Sequence, residues 1–448
     1  MITIVQPHKT IEKLWGKQLI EYGKKYRLMH YVLQAEVDGK KLLHNVVTGH
    51  LVVLEHEEAG IIENLPISYS DTIKELIADH FLVPEIYDEH IQVVNLRTVL
   101  IKLYDLYDSP GITKYTILPT TACNAKCYYC YEQGITPVNM SEKTAEDVIS
   151  FIVEHSHGQE IRIRWFGGEP TLGVNRINQI CDGLKKRNIQ FSSNIISNGY
   201  LFDVEMIKLA KDCWNLTSVK ISLDGTCKSY NDTKAFDNAQ DNPYEIVMRN
   251  IGEFLNQGIR VSVYMNFDDH NYREFYDLFI DMESRFQNSQ LLSLRSHQII
   301  KSDDDYDTDS GLEKEAWYQK KIFELNEFSR KKKFLKRDNK LPSLEYHWCE
   351  ATSHHAITIL PNGKLVSCPE QLGEDQYLGD LKTGVINHNL ACSWRKFGDY
   401  SKCHKCVFFP DCLKILRCAS GSRCFVKIEK YNQYRQNMIN CYNNVLES

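Results

Sequence analysis

Residues 115–134 read YTILPTTACNAKCYYCYEQG. Cys123, Cys127 and Cys130 stand in a C-x3-C-x2-C spacing within this stretch. Three thiolates so close together suit three irons of a [4Fe–4S] cube and leave the fourth iron without a protein ligand. Zinc would call for a nearby fourth Cys or His, and none follows before His155. The run directly follows an apolar, β-rich segment at residues 115–118. That places the cysteines on a loop beyond the C-terminal end of a strand, where barrel folds collect their active sites. The plainer alternative is three buried structural thiols.

Working outward, the chain alternates between strand and helix patterns. Strands are expected at residues 161–166, 191–197, 218–223 and 260–266, and helices at 142–155, 176–187, 204–213, 243–257 and 272–286. Such alternation means a parallel sheet with outer helices, an α/β fold. Polar groups gather where these strands end. WFGGEP at residues 165–170 supplies Gly167, Gly168, Glu169 and Pro170. Glycines let the backbone approach a ligand closely, and a carboxylate accepts hydrogen bonds from an ammonium group. SNG at 197–199 supplies Ser197 and Asn198, and ISLDG at 221–225 supplies Ser222 and Asp224. Taken singly, each of these is also ordinary turn chemistry.

The combination of CNAKCYYCYE, WFGGEP, SNG and ISLDG resembles the radical S-adenosylmethionine (SAM) enzymes. The cysteines of the C-terminal region resemble the SPASM subgroup, whose members modify peptides and proteins. The resemblance implies a partial six-stranded (β/α)6 barrel, TIM-like but open on one side. It assigns the open iron of the Cys123/Cys127/Cys130 cluster to SAM and the release of a 5′-deoxyadenosyl radical. It sets Tyr129 near the adenine and Glu169 on the SAM amino group, with Gly167, Gly168, Pro170, Ser197, Asn198, Ser222 and Asp224 around the rest of the cofactor. The family often carries an Arg after the DG motif. This chain has Lys234 in that region, which keeps the charge but loses bidentate geometry.

The C-terminal spacing is Cys349-x13-Gly363-x4-Cys368, then Cys403-x2-Cys406-x5-Cys412. Five residues then separate Cys412 from Cys418, where the SPASM pattern has three, and Cys424 and Cys441 lie beyond. By resemblance, Cys349, Cys368 and Cys418 serve a first auxiliary cluster. Cys403, Cys406 and Cys412 serve a second, completed by Cys424 or Cys441. Cys392 is a further candidate for the first. Structural zinc is the alternative for this region, since C-x2-C pairs often bind it. Glu370, two residues after Cys368, is a candidate base, with a surface glutamate in a turn as its plain alternative. Cys181, Cys213 and Cys227 stand singly and read as ordinary thiols.

The first hundred residues differ from the rest. Strand patterns at 31–37, 41–47 and 50–54 surround Asp38-Gly39, a two-residue hairpin signal, and helical patterns follow at 57–64 and 71–81. This resembles the winged-helix-like recognition element that precedes many peptide-modifying radical enzymes, which would take a leader peptide as an added strand. The expected division is therefore a leader-recognition element at 1–100 and a barrel at 110–300. A helical bridge at 301–341, with a helix at 312–328, and a SPASM domain at 342–448 would follow.

Composition narrows the function classes. The chain has 448 residues, 43% hydrophobic and 25% charged, as ordinary globular proteins do. A formal charge of -6 argues against nucleic acid as a partner. Neither a long uncharged apolar run nor a signal-peptide core is evident, so a cytoplasmic protein with no membrane association is expected. Fifteen clustered cysteines then indicate metal rather than disulfides.

The expected function is a radical SAM oxidoreductase that crosslinks a ribosomally synthesised precursor peptide (a RiPP maturase). A thioether is favoured over a C–C or C–O bond, and a reductant such as flavodoxin or ferredoxin is a further partner. Two other readings stay open: a formylglycine-forming sulfatase maturase, and a non-enzymatic iron–sulfur protein for electron transfer or regulation.

Overall fold

The computed structural model describes the chain except residues 108–110, 238, 240–241, 287–288, 300–308, 336–339, 348, 399–400, 414, 419–426 and 447–448. Chain contacts divide it into two units. One holds residues 109–336 and 349–395, the other residues 1–108, 337–348 and 396–448. This cuts across the four-part division expected from the sequence, because the C-terminal segment packs with the N-terminal sheet.

The larger unit is built on six parallel strands in sequential order: β1 (Lys114–Thr120), β2 (Ile161–Gly167), β3 (Phe191–Ser197), β4 (Leu216–Ser222), β5 (Arg260–Phe267) and β6 (Leu292–Gln298). Beyond β1 the sheet continues through β7 (Ala356–Ile359), which pairs parallel to it. The antiparallel strands β8 (Lys364–Val366), β9 (Gly379–Asp380) and β10 (Gly384–Val385) complete that edge. Helices connect successive barrel strands: α1 (Glu142–His155), α2 (Val174–Lys186), α3 (Val204–Asp212), α4 (Cys227–Lys234), α5 (Pro243–Asn256) and α6 (Phe275–Arg285). The expected (β/α)6 architecture is therefore present.

Local chemistry explains why these helices start where they do. Ser141, Asp203 and Asn242 accept hydrogen bonds from the backbone N–H groups of Thr144, Met206 and Tyr244, and Pro243 opens α5 with its φ preset. Strand alternation then sorts the two faces of the sheet. Ile163, Trp165, Ile195, Val219, Ile221 and Val263 are buried in one apolar core with the helices. The residues between them, among them Arg164, Asn194, Lys220 and Tyr264, face a cavity on the other side. Barrel interiors are commonly filled with branched apolar side chains. This one is polar and open.

After β6, helix α7 (Asp309–Lys331) contains the helix expected at 312–328. The acidic run at 303–308 and the basic Lys336 and Arg337 lie outside the described residues.

In the smaller unit, the antiparallel order is Ile2–Val5, His50–Leu54, Lys40–Asn45, Val32–Val37. Asp38 and Gly39 join two of these strands with φ of 51° and 73°, the left-handed pair that a tight hairpin requires. The sequence reading missed the first strand, the helix Lys9–Trp15, a small second sheet of Ile67–Ser68, Lys25–Leu28 and Leu82–Pro84, and a 19-residue helix, Glu89–Tyr107. The helical pattern at 71–81 is realised only as a short turn and the helix Lys74–Ala78. The C-terminal helix α8 (Lys427–Leu446) lays Met438 and Tyr442 on Leu33, Ala35 and Leu42 of the sheet. Among the described residues, no helix is long and apolar enough to cross a membrane.

Candidate active site at the strand ends

The polar residues singled out in the sequence converge at the C-terminal ends of β1 to β5. The loop after β1 carries the three cysteines and is fastened to its neighbours by backbone hydrogen bonds. Glu169 N–H donates to the Ala122 carbonyl at 2.8 Å and Lys126 N–H to the Lys234 carbonyl at 2.7 Å. Asp237 N–H donates to the Asn124 carbonyl at 2.9 Å, and Lys126 Nζ stands 2.5 Å from Asp237. The loop is thereby pinned to the GGEP turn on one side and to the end of α4 on the other.

The two glycines of that turn are required by space. Gly167 has φ of +123°, and a Cβ there would lie 2.1 Å from the Thr120 carbonyl oxygen. A Cβ on Gly168 would lie 2.3 Å from the Ala122 carbonyl oxygen. Any side chain would push the cysteine loop away from β2.

Glu169 is fully buried. Its carboxylate accepts from Thr171 N–H at 3.1 Å and from the Thr171 hydroxyl at 2.6 Å. It also accepts from the Ser197 hydroxyl at 2.9 and 3.0 Å and from Asn198 N–H at 2.8 Å. Burial pushes this carboxyl above its ordinary range, while the hydrogen bonds from Thr171, Asn198 and Ser197 pull it back. All of its resolved partners are protein groups, so it joins the GGEP turn to the SNG turn. Pro170 is buried beside it and opens a short helical turn. Asn198 reaches further and donates to the Asn124 side chain at 2.7 Å. Among the described residues, the Asn124 amide nitrogen is buried without a hydrogen-bond partner, an unsatisfied donor inside the cysteine loop.

A second network ties β4 and β5 to the same loop. The Tyr129 hydroxyl donates to Asp224 at 2.6 Å. Lys234 Nζ lies 2.8 Å from Asp224 and donates to Ser222 at 2.7 Å and Tyr129 at 3.1 Å. Asn266 donates to Asp224 at 2.9 Å. Burial alone would neutralise Lys234, but the Asp224 charge more than offsets it and holds the amine well above its usual pKa. Burial likewise raises the Tyr129 phenol, opposed by Lys234 and reinforced by Asp224. Asn266 was missed in the sequence. Its signal was available, since it closes β5 as Ser222 closes β4.

The donor set fits an iron–sulfur cube. Among the described residues, three potential ligands of a single ion converge only at Asp268, Asp269 and His270. Cys123, Cys127 and Cys130 offer three free thiols from one short loop. A cube gives each thiolate its own iron. Asp268 is already engaged, accepting from the Tyr128 hydroxyl at 2.8 Å and from His270 N–H at 2.9 Å.

The remaining cysteines divide between the units. Cys349, Cys368 and the exposed Cys392 belong to the barrel unit, and Glu370 is exposed at the rim of its cavity. Cys403, Cys406, Cys412, Cys418 and Cys441 belong to the other unit, and Cys424 lies outside the described residues. There Cys403 and Cys406 pack against the N-terminal core, while Cys441 sits within α8. Arg97 of the Glu89–Tyr107 helix organises this loop. It donates to the carbonyls of Glu345 at 3.0 Å and of Phe409 and Pro410 at 2.9 Å, with its guanidinium 4.9 Å over the Phe409 ring. The Tyr31 hydroxyl adds a bond to the His404 carbonyl at 3.0 Å.

A parallel half-barrel gathers its strand ends around a C-x3-C-x2-C loop. Residues 117–281 match the Radical SAM superfamily. The chain is 21% identical over 437 residues to the radical SAM cyclopropyl synthase TigE of Paramaledivibacter caminithermalis, covering 86% of this chain and 85% of that one. Two other curated relatives match over shorter segments, and the chain spans only 40% and 38% of their lengths. The fold resembles anSMEcpe with bound AdoMet and Cp18Cys peptide, with a TM-score of 0.55 at 16% identity over 74% of this chain and 99% of that one. It also resembles Streptococcus suis SuiB bound to precursor peptide SuiA, with a TM-score of 0.52 at 14% identity over 87% and 95%. A match to that superfamily over residues 117–281 goes with SAM and a [4Fe–4S] cluster as the cofactors of such a domain.

Proposed function

We propose that this protein is a radical SAM maturase that removes hydrogen from a residue of a ribosomally made precursor peptide and forms a crosslink there, a thioether by preference. The observation that carries the reading is the pinned cysteine loop. Its backbone is held at Ala122, Asn124 and Lys126, and both strand-end networks converge on it above an open, polar barrel interior. The likeness in fold to SuiB with its precursor peptide, and to anSMEcpe with its Cp18Cys peptide, supports a peptide substrate.

Cys123, Cys127 and Cys130 would hold the cluster. Bound there, cluster and SAM would supply a 5′-deoxyadenosyl radical able to take a hydrogen atom from carbon, and auxiliary clusters would supply the electron acceptor that thioether formation needs. The protein's own contribution is positioning. Gly167 and Gly168 allow close backbone approach, and Glu169 fixes the GGEP and SNG turns to each other. Tyr129 closes over the network of Ser222, Asp224, Lys234 and Asn266. Auxiliary clusters are assigned to Cys349, Cys368 and Cys418, and to Cys403, Cys406 and Cys412 with Cys424 or Cys441. Residues 1–100 are assigned to leader binding, Glu370 to proton transfer, and a flavodoxin or ferredoxin to electron supply.

Co-expression with short peptides encoded beside the gene, followed by intact mass and thiol alkylation, tests this. Loss of two hydrogens together with one alkylatable thiol is the expected result. Loss of two hydrogens with every thiol retained would replace the thioether by a C–C or C–O bond. No mass change with any peptide, from protein that cleaves SAM, would overturn the peptide reading.

A further inference from the structure

The inner face of the half-barrel carries charge that the strand-end site does not use. A cavity of about 410 Å³ lies there, lined by Arg164 from β2, Asn194 from β3, Lys220 from β4, Tyr264 from β5 and Glu370. That volume suits a side chain or a small ligand. Lys220 stands two residues before Ser222, on the same strand face, so it lies roughly 7 Å deeper than the strand-end network.

We propose that this cavity receives a carboxylate of the substrate, with the Lys220 ammonium as its counter-charge. The proposal rests on the peptide reading for the identity of that substrate.

Lys220 is the feature that needs a partner. Its ammonium sits 3.4 Å from the centroid of the Tyr264 ring. Among the described residues, no carboxylate lies within ion-pair distance of it. The other inward lysine, Lys234, shows the contrast: it is fully buried and has Asp224 at 2.8 Å. A half-buried ammonium held only against an aromatic face is costly to keep unless a ligand completes it.

The surrounding charges agree. Arg164 gives its charge to Glu350 at 2.7 Å. Arg295 pairs in register with Tyr264 across β5 and β6 and adds a further cation to the same wall. Glu370 is the one carboxylate lining the cavity. Counting the flanking Arg295 and Glu350 with the lining, three cations stand against two carboxylates, and the excess is positive. Burial brings the Lys220 pKa down to about 8, with Arg164 and Arg295 acting in the same direction and Glu370 against it. Lys220 is thus still charged at neutral pH, and poorly satisfied.

The test uses the full-length protein, reconstituted anaerobically and saturated with SAM so that the SAM carboxylate does not compete. Ligand-observed NMR would compare N-acetyl-glutamate methylamide with N-acetyl-glutamine methylamide, and N-acetyl-alanine would offer a terminal carboxylate. The acid should bind about tenfold more tightly than its amide, the scale of one charge-assisted contact. Lys220→Met should abolish the preference, and Lys220→Arg should keep it. The stronger of the two carboxylate probes identifies a side chain or a chain terminus as the source. Equal binding of acid and amide, a preference that survives Lys220→Met, or its loss in both variants would overturn the proposal. Release of 5′-deoxyadenosine without peptide is read on the same samples. An acid preference without release would leave the cavity assignment standing while the enzymatic reading failed.

Discussion

Lys234 and Asp224 form a buried ion pair at 2.8 Å, with side-chain exposures of 3% and 0%. The pair stands behind the Tyr129 hydroxyl, on the loop that carries the cysteines. A lysine at the end of α4 thus acts on the cysteine loop twice, through its ammonium at Tyr129 and through its carbonyl at Lys126.

Removing one partner of such a pair leaves an uncompensated buried charge, which typically costs about 3–5 kcal/mol. Lys234→Met should therefore lower the melting transition clearly and weaken SAM binding. The double variant Lys234→Met/Asp224→Asn should recover part of the stability, since no bare carboxylate remains. Thermal melts of wild type, the two single variants Lys234→Met and Asp224→Asn, and the double variant, analysed as a double-mutant cycle, check this.

Glu169→Gln places an amide where the carboxylate accepts from Thr171, Ser197 and Asn198. At least one buried donor would then face another donor, at a cost of about 1–3 kcal/mol. The expected outcome is a lower melting temperature and slower SAM cleavage at equal iron content. An unchanged cleavage rate would show that the GGEP–SNG link is dispensable.

The charge on Lys220 disappears as pH rises through about 8. A ligand carboxylate stays ionised from pH 6 to 9, since free carboxylates titrate near pH 4. The groups around Lys220 are Arg164, Arg295 and Glu370, with Tyr264 and His297 nearby. The preference for the acidic probe should therefore hold at pH 7 and fade by pH 9. Lys220→Arg should flatten that profile, because arginine does not titrate in the window.

His44 tests the smaller unit. It is fully buried, with one ring nitrogen 2.7 Å from the Pro342 carbonyl. Burial lowers its pKa to about 4, from an ordinary 6.5. A depressed folded pKa means stability that is present above pH 6.5 and lost as pH falls toward 4. At pH 5 the loss is about 2 kcal/mol from this residue alone. His50 and His80 are lowered by burial as well and add in the same direction. Melts at pH 7 and pH 5 should differ accordingly, and His44→Gln should narrow the gap.

Arg97→Met removes the donor that gathers the carbonyls of Glu345, Phe409 and Pro410. Iron bound at the Cys403/Cys406/Cys412 loop should become labile to a chelator, while the iron needed for SAM cleavage stays. Identical chelation kinetics in wild type and variant would remove Arg97 from the account of that loop.

Much of the barrel was legible because local signals agreed. The strand at 191–197 and the helix at 142–155 were read to the residue. The hairpin at Asp38-Gly39 was equally plain. The last barrel strand, LSLRSHQ at 292–298, was not, since its polar alternation resembles a loop until its neighbours are known. The Glu89–Tyr107 helix was missed for a similar reason, as its buried Arg97 reads as a surface charge. Arg97 reaches a loop more than three hundred positions away, and no local window contains that pairing. Lys220 illustrates the same limit. The strand was recognised, but only the facing residues on β2, β5 and β6 reveal that its charge lacks a partner.

The most direct test of the central claim counts iron and sulfide after anaerobic reconstitution and assays 5′-deoxyadenosine release on the same samples. The comparison is between wild type and the triple variant Cys123→Ala/Cys127→Ala/Cys130→Ala. The account predicts that the variant holds one cluster fewer than wild type and releases no 5′-deoxyadenosine, while wild type releases it. Zinc in place of iron, or fully loaded wild type that leaves SAM intact, would contradict it.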